Sequence, residues 1–242
     1  MTPVLSLRGV TKRFGGLTAV NSMDFDVAEH EVLGLIGPNG SGKSTTLNLI
    51  SGAFPVSAGE ITLRGAPITS MPAHLIARRG IARTFQLVRL LPHMTVLDNV
   101  RAGAVFGHRR RWGHEADRIA AEMLDKVGLG GRGHLAVGQL TYIDTKRVEL
   151  ARLLAGEPKV LLLDEWLAGL NPTELQDGIA LIKRLRDEGR TVILVEHVMD
   201  AIRSLCDRCV VMAAGTKIAE GTPAEVLSDA TVIRAYLGDD DA

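Results

Sequence analysis

A chain of 242 residues can form one large domain or a domain carrying an inserted subdomain, and a hydrophobic content of 46% supports a sizeable core. Lysine plus arginine and aspartate plus glutamate both number 28, so the chain lacks the basic excess of a nucleic-acid binder, and His108-Arg109-Arg110-Arg111 is only a short cluster. The longest apolar runs, such as 160–163 and 191–195, fall far short of the ~20 residues that span a bilayer. Residues 1–10 read as a strand and not as a signal peptide, so work at a membrane would need a partner to hold the chain there.

Residues 4–7 and 21–27 alternate as strands, the second with Met23, Phe25 and Val27 on one face. Val10-Thr11-Lys12-Arg13-Phe14-Gly15-Gly16 lies between them. Phe14, one of five phenylalanines, is either a core residue or a platform on which a base stacks. The apolar run 32–36 leads into Gly37-Pro38-Asn39-Gly40-Ser41-Gly42-Lys43-Ser44, and a helix-like segment continues through Thr45 to residue 50. Strand, glycine loop and helix in that order make a P-loop. Glycines let the backbone approach phosphate oxygens and adopt conformations that side chains forbid. The loop N–H groups and the helix N-terminus then attract an anion. Lys43 can reach the β- and γ-phosphates of a nucleotide and the Ser44 hydroxyl can ligate Mg²⁺. The competing reading is a plain glycine turn, against which the filled fixed positions and the flanks both speak.

Residues 57–65 read as turn, strand, turn. Residues 72–79 form a short helix begun by Pro72, and 81–85 a short strand ending at Gln86. From 87 to 156 the pattern is helical. One helix covers 95–104 with Thr95 as N-cap. A second covers 115–127, with Ile119, Ala120, Met123, Leu124 and Val127 at helical spacing and Gly128 as a stop. A glycine-rich loop, 128–138, precedes a third at 141–154. The domain plan is therefore an α/β core in two parts, 1–86 and 157–242, with a helical subdomain, 87–156, inserted between them.

The core resumes with Val160-Leu161-Leu162-Leu163, continuous as in a strand buried on both faces, ended by Asp164 and Glu165. Helix 173–188 carries Leu175, Ile179, Ile182 and Leu185 on one face, with Gly189 after it. Strand 191–195 is followed by Glu196 and His197. This alternation implies a mostly parallel sheet with helices on its faces. Strands at 208–212 and 216–219 and helices at 223–227 and 231–237 follow, then a tail, Asp239-Asp240-Asp241, expected to be solvated. Cys206 and Cys209 follow a helical pattern. A lone C-x-x-C lacks the further ligands zinc needs, so both are expected to be buried structural thiols, in keeping with a reducing cytosol.

Asp164 and Glu165 end a buried strand, where ligands of open α/β sheets bind. Asp164 suits a carboxylate that holds Mg²⁺ through water. Glu165 suits the group that positions or polarises an attacking water. His197 could reach a γ-phosphate or orient water, and Gln86 could sense Mg²⁺ or water and couple the two subdomains. The competing reading of Asp164 and Glu165 is two solvated acids at a strand end; a lone histidine there is usually structural, and His197 and Gln86 are each a weak signal alone.

Phe14, the glycine loop, Gln86, the 160–165 strand and His197 together resemble the ATP-binding subunits of ABC transporters in order and spacing, over almost the whole chain. Ala168-Gly169-Leu170-Asn171-Pro172-Thr173-Glu174 resembles that family's D-loop. Gly80-Ile81-Ala82-Arg83-Thr84-Phe85-Gln86, Met94-Thr95-Val96-Leu97-Asp98-Asn99-Val100 and Arg147-Val148-Glu149-Leu150-Ala151-Arg152 look like the branched-chain amino-acid importer type. Urea, amide and lipopolysaccharide transport ATPases have similar subunits. The resemblance implies ATP hydrolysis coupled to transport. Lys43, Gln86, Glu165 and His197 would be catalytic, Phe14 and residues 37–45 would hold ATP, and Ser44, Gln86 and Asp164 would hold Mg²⁺. It implies a peripheral place on the cytoplasmic face of the membrane, on permease subunits docked near the Gln86 loop and the helical insert. A periplasmic or extracellular solute-binding protein would act indirectly, and no nucleic acid is expected as a partner. It also implies a dimer that closes on ATP, one subunit giving the P-loop and the other a signature motif, and that hydrolysis reopens.

The family signature, Leu-Ser-Gly-Gly-Gln, falls here on Leu140-Thr141-Tyr142-Ile143-Asp144. Thr141 keeps the hydroxyl, and Tyr142 is a variant common in the amino-acid importer branch. Ile143 replaces a glycine used for close backbone contact with the γ-phosphate, and a β-branched side chain hinders that approach. Asp144 replaces glutamine and brings negative charge near the phosphates. Thr141-x-x-Asp144 also reads as a capping-box-like helix start, which competes for the N–H groups an anion would use. The weakened signature points to pairing with a different ATPase subunit, a heterodimer. Trp166 and Leu167 stand where the family has proline and a small or polar residue. Three rivals remain in view. A soluble ABC protein acting on nucleic acid or ribosomes would carry two ATPase halves or long coiled coils. A P-loop kinase would not need Gln86, the insert and His197. A regulatory ATP-binding module with weak hydrolysis accords with the altered signature.

Overall fold

The computed structural model describes residues 3–237, so the acidic tail at 239–241 lies outside the described residues. Strands β1 (Leu5–Phe14) and β2 (Leu17–Val27) form an antiparallel hairpin. Residues 10–16 are not a separate connection. They are the ends of both strands and their turn, with Phe14 paired to Leu17 and Gly15 at φ 57°. Register shifts between Leu7 and Arg13 break the alternation there, which is why a strict period of two stops short of the tip. After β3 (Val32–Ile36), β4 (Ala58–Leu63) and β5 (Ala66–Pro67) complete a sheet of order β2-β1-β4-β5.

β3 instead joins β6 (Ile81–Arg83), β7 (Val160–Asp164), β8 (Thr191–Val195), β9 (Arg208–Ala213) and β10 (Thr216–Gly221), in the order β10-β9-β3-β8-β7-β6. Every pairing is parallel except that of β10 with β9. β6 ends at Arg83, two residues earlier than its pattern, because Thr84 turns its hydroxyl under the end of β7 and accepts from Asp164 N at 3.0 Å.

The continuous apolar strands are explained by two cores. Leu33, Leu35, Val160, Leu162, Ile193 and Val195 face one buried cluster with β1, β2, β4 and the helix α1 (Lys43–Ile50). Their alternating neighbours Val32, Ile36, Leu161, Leu163, Val192 and Leu194 face the other. A parallel sheet covered on both faces has no polar side, so no alternation survives in its sequence.

Following α2 (Ala73–Arg78) and β6, the chain leaves the sheet, builds α3 (Val96–Phe106), α4 (Gly113–Lys126) and α5 (Tyr142–Ala155), which pack on one another, and returns in β7 beside β6. Thr95 caps α3 by accepting from Asp98 N at 3.1 Å. α6 (Pro172–Asp187) begins one residue before its predicted start, with an Asn171–Glu174 capping box and Pro172 in its first turn. α7 (Met199–Leu205), α8 (Pro223–Ser228) and α9 (Ala230–Leu237) close the chain. Cys206 and Cys209 are free and buried. A methyl group on Gly34 would lie 2.9 Å from both sulfurs, so β3 is small there to admit them. No helix among the described residues is long and apolar enough to cross a membrane.

Candidate functional site

Sheet order places the site. β3, β8, β7 and β6 are consecutive neighbours. The glycine loop follows β3, His197 lies just past β8, Asp164 ends β7, and Gln86 lies just past β6. Four segments distant in sequence therefore meet at the C-terminal edge of one parallel sheet, where loops leave a crevice.

The loop backbone requires glycine in two places. Gly37 has φ 148° and Gly42 φ 104°. A Cβ would lie 2.1 Å from Met212 O at Gly37 and 2.5 Å from Ala19 O at Gly42. The Ser41 hydroxyl is buried and has no hydrogen-bond partner among the described residues. Lys43 Nζ donates to Gly37 O and Pro38 O, both at 2.8 Å. Burial pushes the Lys43 ammonium down, while Glu165 and Asp164 oppose the shift. The first turn of α1 holds no acidic residue, so nothing there competes for its N–H groups. Such a cradle suits phosphate. Thr45, half-buried, follows Ser44 in the same turn. Phe14 is not core: it is 42% exposed at the hairpin tip, edge-to-face with Phe54 at 5.4 Å and 4.8 Å from Lys12 Nζ.

Ser44 Oγ donates to Asp164 Oδ1 at 3.3 Å. The other carboxylate oxygen, Oδ2, is paired with Arg83 at 2.8 Å, and both side chains are almost wholly buried. Arg83 also donates to Asn48 Oδ1 of α1 at 2.6 Å. Asp164 is thereby aimed, one oxygen toward Ser44 and one fixed by Arg83. Glu165, at φ 50°, turns the chain off the strand. Its Oε2 accepts from Gln86 Nε2 at 2.9 Å, and its Oε1 lies 3.0 Å from His197 Nε2. With an ionised carboxylate as acceptor, the proton of the His197 ring belongs on Nε2. Gln86 thus contacts Glu165 directly, while it also lines a cavity of about 450 Å³ shared with Ser44 and Asp164. An adjoining cavity of about 490 Å³ is lined by Gln86, Tyr142, Glu165, Ala168 and Gly169.

At the predicted signature, Leu140 packs on the core and Thr141 is the N-cap of α5, accepting from Asp144 N at 3.3 Å. The cap is half of a box. The Asp144 carboxylate does not reach back to the cap but turns to Arg132, 2.9 Å away, and is buried. The charge that Asp144 brings to this end of α5 is thus met by Arg132. Tyr142 is exposed beside Gly169, and Ile143 is half-buried. Trp166 and Leu167 are buried, and a Cβ on Gly178 of α6 would meet Leu167 at 2.5 Å and Trp166 at 3.2 Å. The large residues after Glu165 are accommodated by the missing side chain at Gly178.

Four residues of the site went unread in the sequence: Arg83, Thr84, Lys146 and Glu196. Arg83 carried a signal, because a charge inside a buried parallel strand must find a partner. Lys146 donates to the carbonyls of Glu165, Trp166 and Ala168, and Glu196 Oε1 accepts from Leu167 N at 2.6 Å. Burial pushes the Glu196 carboxyl from its usual 4.5 up to about 7, against the Leu167 N–H and the Lys146 charge. Between those two values the folded chain keeps a proton that the unfolded chain has lost, so this group makes stability fall as pH rises through the window. Glu196→Gln keeps the acceptor for Leu167 and is expected to be more stable than the parent above the window, by on the order of 3 kcal/mol. Urea melts at about pH 5 and about pH 8 check this, and an unchanged difference between the two proteins would remove Glu196 as the source.

The residues 20–168 match the family model described as ABC transporter, and 216–242 match that described as branched-chain amino acid ATP-binding cassette transporter. The chain is 41% identical over 254 residues to the high-affinity branched-chain amino acid transport ATP-binding protein BraF of Pseudomonas aeruginosa, with 98% of each chain covered. It is 40% identical over 252 residues to LivG of Salmonella typhimurium, again with 98% of each covered. The lipopolysaccharide export system ATP-binding protein LptB of Escherichia coli is 35% identical, with 98% of each covered. A nucleotide-free ATP-binding cassette from an ABC transporter superposes with a TM-score of 0.90 at 30% identity, covering 98% of this chain and all of the other. A dimeric cassette in a post-hydrolysis state bound to ADP and Pi gives 0.83 at 27% identity, covering 90% and 98%.

Proposed function

This chain belongs to the ABC transporter ATP-binding family, and on that premise we propose that it binds ATP with Mg²⁺ and hydrolyses it to power a branched-chain amino-acid importer. One observation carries the reading: Ser44 and Asp164 meet at 3.3 Å while Glu165, the next residue, is gripped by Gln86 and His197. The loop 37–45 would hold the phosphates, Lys43 exchanging its own loop carbonyls for phosphate oxygens, and Phe14 would offer its ring to the base. Ser44 and Asp164 would hold Mg²⁺, with Gln86 on the wall of the same cavity. Bound there, the ion offsets phosphate charge. Glu165 keeps lone pairs beyond those used by Gln86 and His197, and with them it orients a water for attack on the γ-phosphate. His197 and Gln86 fix the carboxylate while it does so.

The relatives' names support branched-chain amino acids as cargo over lipopolysaccharide. Permease subunits would dock on an apolar groove of about 400 Å³ between α2, β6 and α3, where Ala77, Phe85, Leu91, Phe106 and Pro158 lie. That contact would hold the chain on the cytoplasmic face of the membrane, with a solute-binding protein acting from the far side. The solved ADP- and Pi-bound dimer supports an ATP-sandwich dimer.

The altered signature supports a heterodimer. Thr141 already occupies an N–H at the start of α5, and Ile143 bulks the approach. A pure homodimer would use this weak end at both sites. A partner subunit with an intact signature would complete this chain's own P-loop site. The pure protein is therefore expected to turn over ATP about 10²–10³-fold more slowly than its mixture with such a partner, the typical cost of a lost preorganised donor. Full turnover by the pure protein in an ATPase assay would sink the heterodimer and the weak signature together.

A further inference from the structure

The peptide 165–168 leaves β7 in a turn, Glu165 N donating to Val195 O of β8 at 2.9 Å and Ala168 N to Glu165 O at 3.2 Å, and two buried side chains hold it further on both polarities. From α5, Lys146 Nζ donates to Glu165 O at 3.3 Å, Trp166 O at 3.0 Å and Ala168 O at 2.7 Å. From the end of β8, Glu196 accepts from Leu167 N at 2.6 Å. Lys146 is 2% exposed and Glu196 1% exposed. No direct ion pair joins them among the described residues; both hold the same stretch of backbone. An ammonium suits this place because its three donors can be spent on three carbonyls. The contact is reciprocated, since Trp166 Nε1 donates to Lys146 O at 3.2 Å. Tyr142, one turn earlier on α5, sets its ring 4.9 Å from Lys146 Nζ and packs beside Gly169.

Two parts of the site are therefore tied by one side chain. Lys146 lies in the first turns of α5, two residues after Asp144, so it moves with the helical insert. The carbonyls it grips begin at Glu165, whose carboxylate faces Gln86 and His197. We propose that Lys146 is a positioning residue that fixes Glu165 and the loop 166–171 to the N-terminal end of α5, so that a rotation of the helical insert carries Glu165 with it. The proposal deepens the ATPase reading and rests on it. The link is mechanical: three buried hydrogen bonds join α5 to the segment that begins at Glu165, whereas other polar ties of the insert, Lys126–Glu188 and Arg147–Asp177, reach α6 and the residue after it and not the Glu165 segment.

Lys146→Met keeps the apolar stem and removes the three donors. It is expected to lower kcat about 10- to 100-fold, the scale of an ångström-level misplacement, while the affinity for a fluorescent ATP analogue stays within about twofold, because the P-loop is untouched. Lys146→Arg, which retains donors, is expected to restore kcat to within about fivefold of the parent. Hydrogen exchange at Leu167 and through 169–171 should rise in Lys146→Met and not at α1. If kcat stays within about twofold, if nucleotide affinity falls in step with kcat, or if Lys146→Arg restores nothing, the proposal is overturned. Should Lys146→Met fail to fold, Lys146→Gln and Lys146→Arg decide by the same criterion, kcat rising with the donors retained at constant affinity. A parent protein with no ATP turnover alone or with a partner ATPase would count against the ATPase reading, and the exchange data would still show whether Lys146 pins 165–168.

Discussion

Glu165→Gln is expected to lower ATP turnover by about 10²–10⁴-fold, the usual contribution of a positioned general base, while nucleotide affinity stays within about twofold. The size follows from what the substitution removes. The amide has the shape of the carboxylate but cannot take or polarise a water proton. The geometry survives because the partners can adapt. Gln86 can keep donating to the remaining carbonyl oxygen, and His197, 3.0 Å away, can present its unprotonated nitrogen to the amide N–H₂ by changing tautomer. Lys43, Ser44 and the loop are not disturbed, so binding and chemistry separate. The measurement is steady-state turnover alongside a fluorescent-nucleotide titration, made on the complex with a partner ATPase. Unchanged turnover would show that Glu165 is not the water-positioning group, and a parallel loss of affinity would assign it to nucleotide binding.

The second large effect is on stability. Arg83→Ala leaves Asp164 in a site where both side chains were almost wholly buried and 2.8 Å apart. Removing one member of such a pair typically costs about 3–5 kcal/mol, because the remaining charge is neither hydrated nor matched. For a chain of this length that corresponds to a fall in Tm of about 6–20 °C. Asn48 and the Ser51 hydroxyl lose a donor as well, so the coupling between α1 and the end of β6 loosens. The double variant Arg83→Met with Asp164→Asn is expected to recover most of the loss, since it removes both charges and keeps much of the volume. Thermal denaturation of the three proteins checks this. If the single variant melts within about 2 °C of the parent, Arg83 does not neutralise Asp164.

Arg83 also shows where sequence reading stopped. Its strand is three residues long, too short for a period, and its partner lies 81 positions away. Nothing local announces such a pair except that a charged residue occupies an apolar strand. Lys146 and Glu196 are less legible still. On the helical pattern of α5 Lys146 reads as one more solvated lysine, and only the return of the chain along β7 puts three carbonyls around it. The reverse holds for the glycine loop, Asp164, Glu165, His197 and Gln86, where motif chemistry and strand-end position named the residues before any contact was known. Phe14 falls between: its place ahead of the loop was visible, but only the hairpin tip, where it is exposed, removed it from the core.

The glycine loop, the continuous apolar strands and the helical insert are written locally, because backbone conformation, burial on two faces and amphipathic spacing each leave a pattern within a few residues. By itself the sequence therefore determined the α/β class, the phosphate loop and the residue types of the chemistry. The strand order β3-β8-β7-β6 leaves no such pattern. Neighbourhood in a parallel sheet is set by long crossovers and by the burial of both sheet faces, and these are properties of the whole chain. Only the tertiary structure decided that Gln86 and His197 grip the same carboxylate, that Arg83 neutralises Asp164, that Arg132 takes up the charge of Asp144, and that Lys146 ties the insert to Glu165. Each of these contacts depends on directions and distances between segments that meet only once the sheet is assembled.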